Sequence, residues 1–305
     1  MFNPSPPRCR QFRQGRVLIV GCGDVGLRAA KRLMPRCRVL ALTSTPARVH
    51  ELRELGVRPL TGSLDEPQTL ARLAGLATRV LHLAPPPSSG DADPRTRALL
   101  QALSRRGAVR ALVYGSTTGV YGDAQGQFFD ETRAVAPATA RARRRVDAEA
   151  HVRWWGRRTR RGTRACVLRI PGIYALDREG GDPRDRVRRG APVLQADQDI
   201  HTNHIHADDL ARACLAALWR GAPQRVYHVC DETDLAMGDY FDLVADLSGL
   251  PRPPRLSRAA AHEQMSPMQR SFLSESRRLS NDRLKLELRV RLHYPHVRDA
   301  LMPSG

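Results

Sequence analysis

The stretch from Val17 to Gly26, Val-Leu-Ile-Val-Gly-Cys-Gly-Asp-Val-Gly, constrains this chain more than any other. Four apolar residues run directly into Gly21, Gly23 and Gly26, and the helical pattern Val25, Leu27, Ala29, Ala30 and Leu33 follows. That order predicts a buried strand, a tight turn and a helix packed back on the strand. The first glycine permits the turn, the second lets a ligand approach the backbone, and the third lets the helix lie close to the strand. The free N–H groups and the dipole at the helix start favour an anion. Gly21, Gly23, Asp24, Val25 and Gly26 are therefore expected to hold the pyrophosphate of a dinucleotide.

The rest of the chain repeats the rhythm. Strands are expected at Val39–Leu42, Val57–Leu60, Val80–Ala84, Ala111–Tyr114 and Ala165–Arg169, with helices at Ala47–Leu55, Pro67–Ala74, Pro94–Arg105 and Ala138–Arg158. Apolar strands alternating with helices predict a parallel sheet covered on both faces. After Pro171 the rhythm breaks at Gly180-Gly181-Asp182-Pro183, and again at Pro251, Pro253 and Pro254. The expected fold is α/β: a Rossmann-type doubly wound parallel sheet from 15–172 and 201–229, with a smaller C-terminal substrate lobe from 173–200 and 230–305. Residues 1–14 are expected to be a disordered leader.

Charge needs separate treatment, because the net charge is +19 and the sequence pI is near 11.0. Lys31 and Lys285 are the only lysines, and the arginines are spread over most of the chain. Aromatics make up 5% of residues, too few for a surface on which nucleic-acid bases stack, so nucleic acid is not the expected partner. The densest basic run includes Arg141, Arg143, Arg144, Arg145, Arg157, Arg158, Arg160, Arg161 and Arg164; it reads as a solvated helix face, with an anionic ligand or partner as the alternative. Cys9, Cys22, Cys37, Cys166, Cys214 and Cys230 are widely spaced, which predicts reduced thiols and a cytoplasmic protein. No apolar run long enough to span a membrane is present. A thiol inside the glycine turn, Cys22, is either activated by the helix start or simply a small residue at a variable position, the second being the simpler reading.

Where the second strand ends, an NAD site usually carries a carboxylate for the ribose 2′-hydroxyl. This chain has Thr43-Ser44-Thr45 there and Arg48 just beyond, which predicts NADP in preference to NAD, with Arg48 as a surface residue of the next helix as the equal alternative.

Three stretches, Val17 to Gly26, Gly115-Ser116-Thr117-Thr118-Gly119-Val120-Tyr121-Gly122 and Leu168-Arg169-Ile170-Pro171-Gly172-Ile173-Tyr174, are joined by Ile205-His206-Ala207-Asp208-Asp209-Leu210-Ala211. In this order they resemble an extended or atypical short-chain dehydrogenase/reductase of the NAD-dependent epimerase/dehydratase type. The resemblance implies an NAD(P)-dependent oxidoreductase or epimerase/dehydratase acting on a small molecule. It adds Leu64, Ala84, Pro85, Arg145, Pro171 and Ile173 to the cofactor-binding set and gives Thr117, with Ser116 beside it, the role of polarising the substrate oxygen.

The same resemblance implies a Tyr-x-x-x-Lys pair, and the chain lacks it: its tyrosine position falls on Arg141 and its lysine position on Arg145. A guanidinium keeps its protons across the working pH range, so Arg141 cannot act as the acid. Tyr121 and Tyr174 are the alternative phenols, although Tyr121 reads more simply as a packed loop aromatic beside the nicotinamide, and Arg141 is a candidate clamp for a developing oxyanion. A protein that binds NADP(H) without turnover, a sensor or scaffold, is the competing function. His201, His204 and His206 with Asp208 and Asp209 read as a strand followed by a helix start, with no metal implied. Asn203, Arg184 and Arg186 fall where the substrate lobe of the resemblance begins; they read as contacts to an anionic substrate or, the favoured reading in so arginine-rich a chain, as surface residues. A monomer or weak dimer is expected from the repulsion between two arginine-rich helices.

Overall fold

The computed structural model describes residues 15–159, 162–265 and 273–302. The expected leader, Cys9, Arg160 and Arg161 lie outside the described residues.

The central sheet has seven parallel strands: β1 (Gly15–Val20), β2 (Cys37–Thr43), β3 (Arg58–Thr61), β4 (Arg79–His82), β5 (Ala111–Thr117), β6 (Arg164–Ile170) and β7 (Val226–His228). They lie in the order β7-β6-β5-β4-β1-β2-β3, so the chain reverses its direction of travel across the sheet between β1 and β4. A crevice opens beyond the carboxyl ends of the strands at such a switch point. The fold is thus the expected Rossmann-type sheet.

Helices α1 (Asp24–Leu33), α2 (Arg48–Glu54), α3 (Pro94–Ser104), α4 (Ala140–Arg158) and α5 (Ala207–Arg220) accompany the strands. One face of the sheet, with Val17, Ile19 and Leu168, packs on Ala29 and Leu33 of α1 and Leu210 and Ala217 of α5. The other, with Leu18, Val80 and Leu112, packs on Leu99 of α3 and Val152 of α4. Local chemistry starts the helices where the pattern needs them. Asp93 accepts a hydrogen bond from the Thr96 N–H with Pro94 following it, and Thr139 accepts one from Ala142. His206 does the same through Nδ1, which accepts the Asp208 N–H at 3.2 Å. A third core gathers Tyr174, Val187, Val193, Ile200, Tyr240, Phe241 and Val297.

Some expectations need correction. The segment after β3 is a 3-10 helix, Pro67–Leu73. Strand β4 stops at His82, because the N–H groups of Leu83 and Ala84 both turn onto the Val20 carbonyl. The three-residue β7 is too short to carry a readable pattern and was not expected. The basic run on α4 is not a purely solvated face. Arg143 pairs with Asp91, Arg144 is buried on the Gly90 carbonyl at 2.6 Å, and Arg145 turns inward, whereas Arg157 and Arg158 are exposed.

Among the described residues, no helix is long and apolar enough to cross a membrane. Cys22, Cys37, Cys166, Cys214 and Cys230 are free thiols.

Candidate active site

The glycine turn sits at the carboxyl end of β1. Gly21 has φ +85°, and a Cβ there would lie 2.3 Å from the backbone nitrogen of Ala84, so the residue is glycine by necessity. Gly23 is different: a Cβ there would meet nothing within 4 Å. The turn therefore presents open backbone at Gly23, backed by the start of α1, which is the cradle a pyrophosphate requires. Gly26 approaches Ile19 closely enough that a Cβ would lie 3.3 Å from its side chain. The Cys22 thiol is pushed up to about 11 by burial, against a smaller opposing pull from Arg48, so it is an inert small residue and not an activated nucleophile.

Gly21, Gly23, Asp24, Val25 and Gly26 line a cavity of about 260 Å³ together with Ser116, Thr117, Arg141, Arg145, Pro171 and Ile173. Eleven of the sequence-predicted site residues therefore converge on one place. A second cavity of about 480 Å³ shares Thr117, Arg141, Pro171, Ile173 and Arg178 with the first and extends to Asn203, His204, Arg186 and Arg277. The two form one cleft, with Thr117 and Arg141 at the junction.

The remaining sequence-predicted residues lie outside the cavity lining. Thr43 is buried and its hydroxyl accepts the Thr45 N–H, Ser44 is exposed, and Arg48 pairs with Glu51 at 3.2 Å. Ala84 sits directly against Gly21, Leu64 packs on the sheet core, and the Pro85 carbonyl accepts a hydrogen bond from Arg95.

Around the junction each side chain has a defined task. The Thr117 hydroxyl accepts the Gly119 N–H at 3.2 Å, which leaves its own proton to donate. Arg145 Nη1 donates to the Gly115 carbonyl at 2.7 Å and to the Tyr114 hydroxyl at 3.1 Å, fixing the guanidinium at the lysine position. Arg141 is exposed and, among the described residues, forms no ion pair or side-chain hydrogen bond.

Ser116 and Tyr121 require correction. The Ser116 hydroxyl, although beside the cleft, donates to Glu149 at 2.6 Å, so its proton points into the protein. Glu149 forms a buried ion pair with Arg169 at 2.7 Å, and Arg169 in turn donates to the Tyr121 hydroxyl at 2.6 Å. The Tyr121 hydroxyl also contacts His228 Nε2 at 2.5 Å, and its side chain is 1% exposed. Burial pushes this phenol up to about 12, so it is a structural link and not a proton donor to the cleft. Tyr174 is likewise buried, and burial raises its phenol.

Sequence reasoning missed Arg178 and Arg277, and read His204 only as part of a strand. Arg178 reaches back to the glycine turn and pairs with Asp24 at 2.6 Å, while Arg28 holds the other oxygen of that carboxylate at 2.9 Å. His204 stacks on Tyr240 with ring centroids 4.0 Å apart, and burial lowers it to about 4, which keeps it neutral. Arg277 pairs with Glu275, the one carboxylate among the described residues that line the larger cavity, where Arg141, Arg178, Arg186 and Arg277 are all cationic. The surplus positive charge was legible as composition, but its convergence depends on tertiary contacts.

The model of the NAD dependent epimerase/dehydratase family matches residues 17–230. Among solved structures, a functionally unknown conserved protein from Silicibacter pomeroyi is 32% identical, covering 94% of this chain and 96% of that one, with a TM-score of 0.78. The UDP-glucose 4-epimerase of Thermotoga maritima, solved with UDP-glucose, is 19% identical over 94% of this chain and 96% of its own, with a TM-score of 0.75. A dTDP-glucose 4,6-dehydratase from Streptomyces venezuelae, solved with NAD bound, is 19% identical over 94% of each chain, with a TM-score of 0.74. No curated protein matches. A family model that spans most of the chain, on this sheet order and this glycine turn, identifies the protein as a member of the NAD dependent epimerase/dehydratase family.

Proposed function

We propose that the protein is an NAD(P)-dependent oxidoreductase or epimerase/dehydratase-like enzyme that acts on a small anionic substrate without a Tyr-x-x-x-Lys pair. The observation that carries this reading is the shared lining of the two cavities at Thr117 and Arg141. A dinucleotide on the glycine turn and a substrate in the larger cavity would meet at those two side chains. The substrate lobe of this reading is 173–200 with 230–305, whose residues build the third core.

The residues fit the cofactor. Gly23 is open, Gly21 and Gly26 allow the turn, and Arg145 stands where a ribose hydroxyl would be held. A bound nicotinamide would supply or accept hydride. NADP is the preferred form, because Thr43-Ser44-Thr45 places no carboxylate at the end of β2 and Arg48 lies beyond it. A 2′-phosphate would compete with Glu51 for Arg48.

The protein's own part is electrostatic. Thr117 donates a hydrogen bond to a substrate oxygen and keeps its proton, and the fixed charge of Arg141 stabilises negative charge that develops there. His204, in the wall of the larger cavity, is held neutral by burial and adds a polar but uncharged surface there. Arg141, Arg178 and Arg186 favour a substrate bearing phosphate or carboxylate. The Thermotoga relative was solved with UDP-glucose, so nucleotide sugars head the compounds to be screened.

Replacing Arg141 by Ala is expected to lower kcat/KM for an anionic substrate about tenfold or more, the worth of one charge-assisted hydrogen bond. The check is NADPH oxidation, or NADP reduction, followed across nucleotide sugars and sugar phosphates. Unchanged kinetics in Arg141→Ala would remove that residue from the site. The competing reading, a non-catalytic NADP(H) sensor, is favoured by the withdrawal of Ser116 and Tyr121 into the protein. Tight cofactor binding with no turnover on any member of the panel would select it.

A further inference from the structure

A cavity of about 760 Å³ lies at the amino-terminal end of the sheet strands, opposite the cleft, where Gly15, Cys37 and Arg79 begin β1, β2 and β4. It shares no lining residue with the cleft. Among the described residues, six arginines line it and no carboxylate does. Three of these are satisfied: Arg32 pairs with Asp208, Arg212 pairs with Asp209, and Arg220 donates to the carbonyls of Leu288 and Arg289. Arg36, Arg79 and Arg289 form no ion pair and no side-chain hydrogen bond among the described residues.

Arg79 is the most informative of the three. Its guanidinium lies over the Trp219 ring, 4.7 Å from the centroid, and its Nε is buried without a hydrogen-bond partner. Burial lowers its pKa, and Arg164 and Arg110 nearby lower it further. A partly desolvated cation surrounded by like charge is unfavourable unless an anion joins it. Trp219 keeps an exposed ring beside Leu215, Ala216 and Val290, which supplies a flat apolar wall next to the charges. A cavity of this size accommodates a ligand of nucleotide dimensions.

We propose that this cavity binds a nucleotide-sized aromatic polyanion, with its flat part against Trp219 and Leu215 and its phosphate or carboxylate groups on Arg36, Arg79 and Arg289. The ligand is of the same chemical class as a nucleoside triphosphate, and the site is separate from the dinucleotide cleft.

Calorimetry with ATP as the probe tests this in the wild type, in Arg36→Gln/Arg289→Gln, in Trp219→Leu and in Gly23→Asp. Arg36 and Arg289 are exposed, so their replacement leaves the fold intact. ATP affinity is expected to fall about tenfold or more in the arginine pair variant, where two charged contacts are lost, and to fall in Trp219→Leu. It is expected to be unchanged in Gly23→Asp. Three results would overturn the proposal: no ATP binding to the wild type, ATP binding lost in Gly23→Asp but kept in the arginine pair variant, or inorganic tripolyphosphate binding as tightly as ATP.

Discussion

Replacing Glu149 by Ala is expected to lower the stability of the protein by about 3–5 kcal/mol, the cost of leaving one partner of a buried ion pair alone. The Glu149 carboxylate accepts two hydrogen bonds from Arg169, at 3.1 and 2.7 Å, and one from Ser116 at 2.6 Å. Both charged side chains are 5% exposed, so water cannot take the place of the carboxylate. Among the described residues, Arg169 would retain its hydrogen bond to the Tyr121 hydroxyl and its place over the Tyr121 ring. The same network ties α4 to β5 and β6 at the end of the sheet where the cleft opens. Glu149→Gln keeps an acceptor of the same shape and is expected to cost less. Urea unfolding followed by circular dichroism reads both variants. A loss below about 1 kcal/mol in Glu149→Ala would show that Arg169 finds solvent or another partner, and that the pair does not hold this end of the sheet.

The second large effect is expected at Gly21. An alanine there must adopt φ +85° and place its Cβ 2.3 Å from the nitrogen, and 2.6 Å from the Cα, of Ala84. Those atoms are backbone, held by the hydrogen bonds from the Leu83 and Ala84 N–H groups to the Val20 carbonyl, so no side-chain rotation relieves the clash. Backbone strain and overpacking each cost about 1–3 kcal/mol, so Gly21→Ala is expected to destabilise by about 2–6 kcal/mol. Gly23→Ala, two residues away, is expected to stay within about 1 kcal/mol of the wild type, since its Cβ enters open space. The pair separates the two uses of glycine in this turn, one steric and one for ligand access. Equal stability losses at both positions, in the same urea experiment, would contradict that division.

The sheet was legible because its strands are buried on both faces and read as short apolar runs. Val17–Val20 and Ala111–Tyr114 belong to this kind, and both are nearly or wholly inaccessible to solvent. What the pattern could not carry was the three-residue β7 and the early end of β4, since both are set by neighbouring backbone and not by side-chain polarity. At the site, the glycine turn and the absent Tyr-x-x-x-Lys pair are local facts of sequence, and the counted positions Arg141 and Arg145 both line the cleft. Arg178 and Asp24 are 154 residues apart in the chain and His228 and Tyr121 are 107 apart. Contacts of that span have no local signature. The same limit explains Tyr121: its place in the Val-Tyr-Gly element pointed to the cleft, but Arg169 and His228 hold its hydroxyl beneath the surface.

The central claim is that the glycine turn holds a dinucleotide, and calorimetric titration of NADPH and NADH, in parallel, into the wild type and Gly23→Asp tests it most directly. An aspartate at position 23 has room to fold and would put a negative charge where the pyrophosphate belongs. The expected result is micromolar binding of NADPH, weaker binding of NADH, and loss of both in Gly23→Asp with its thermal unfolding unchanged. Failure of either nucleotide to bind the wild type, or undiminished binding to Gly23→Asp, would contradict the claim.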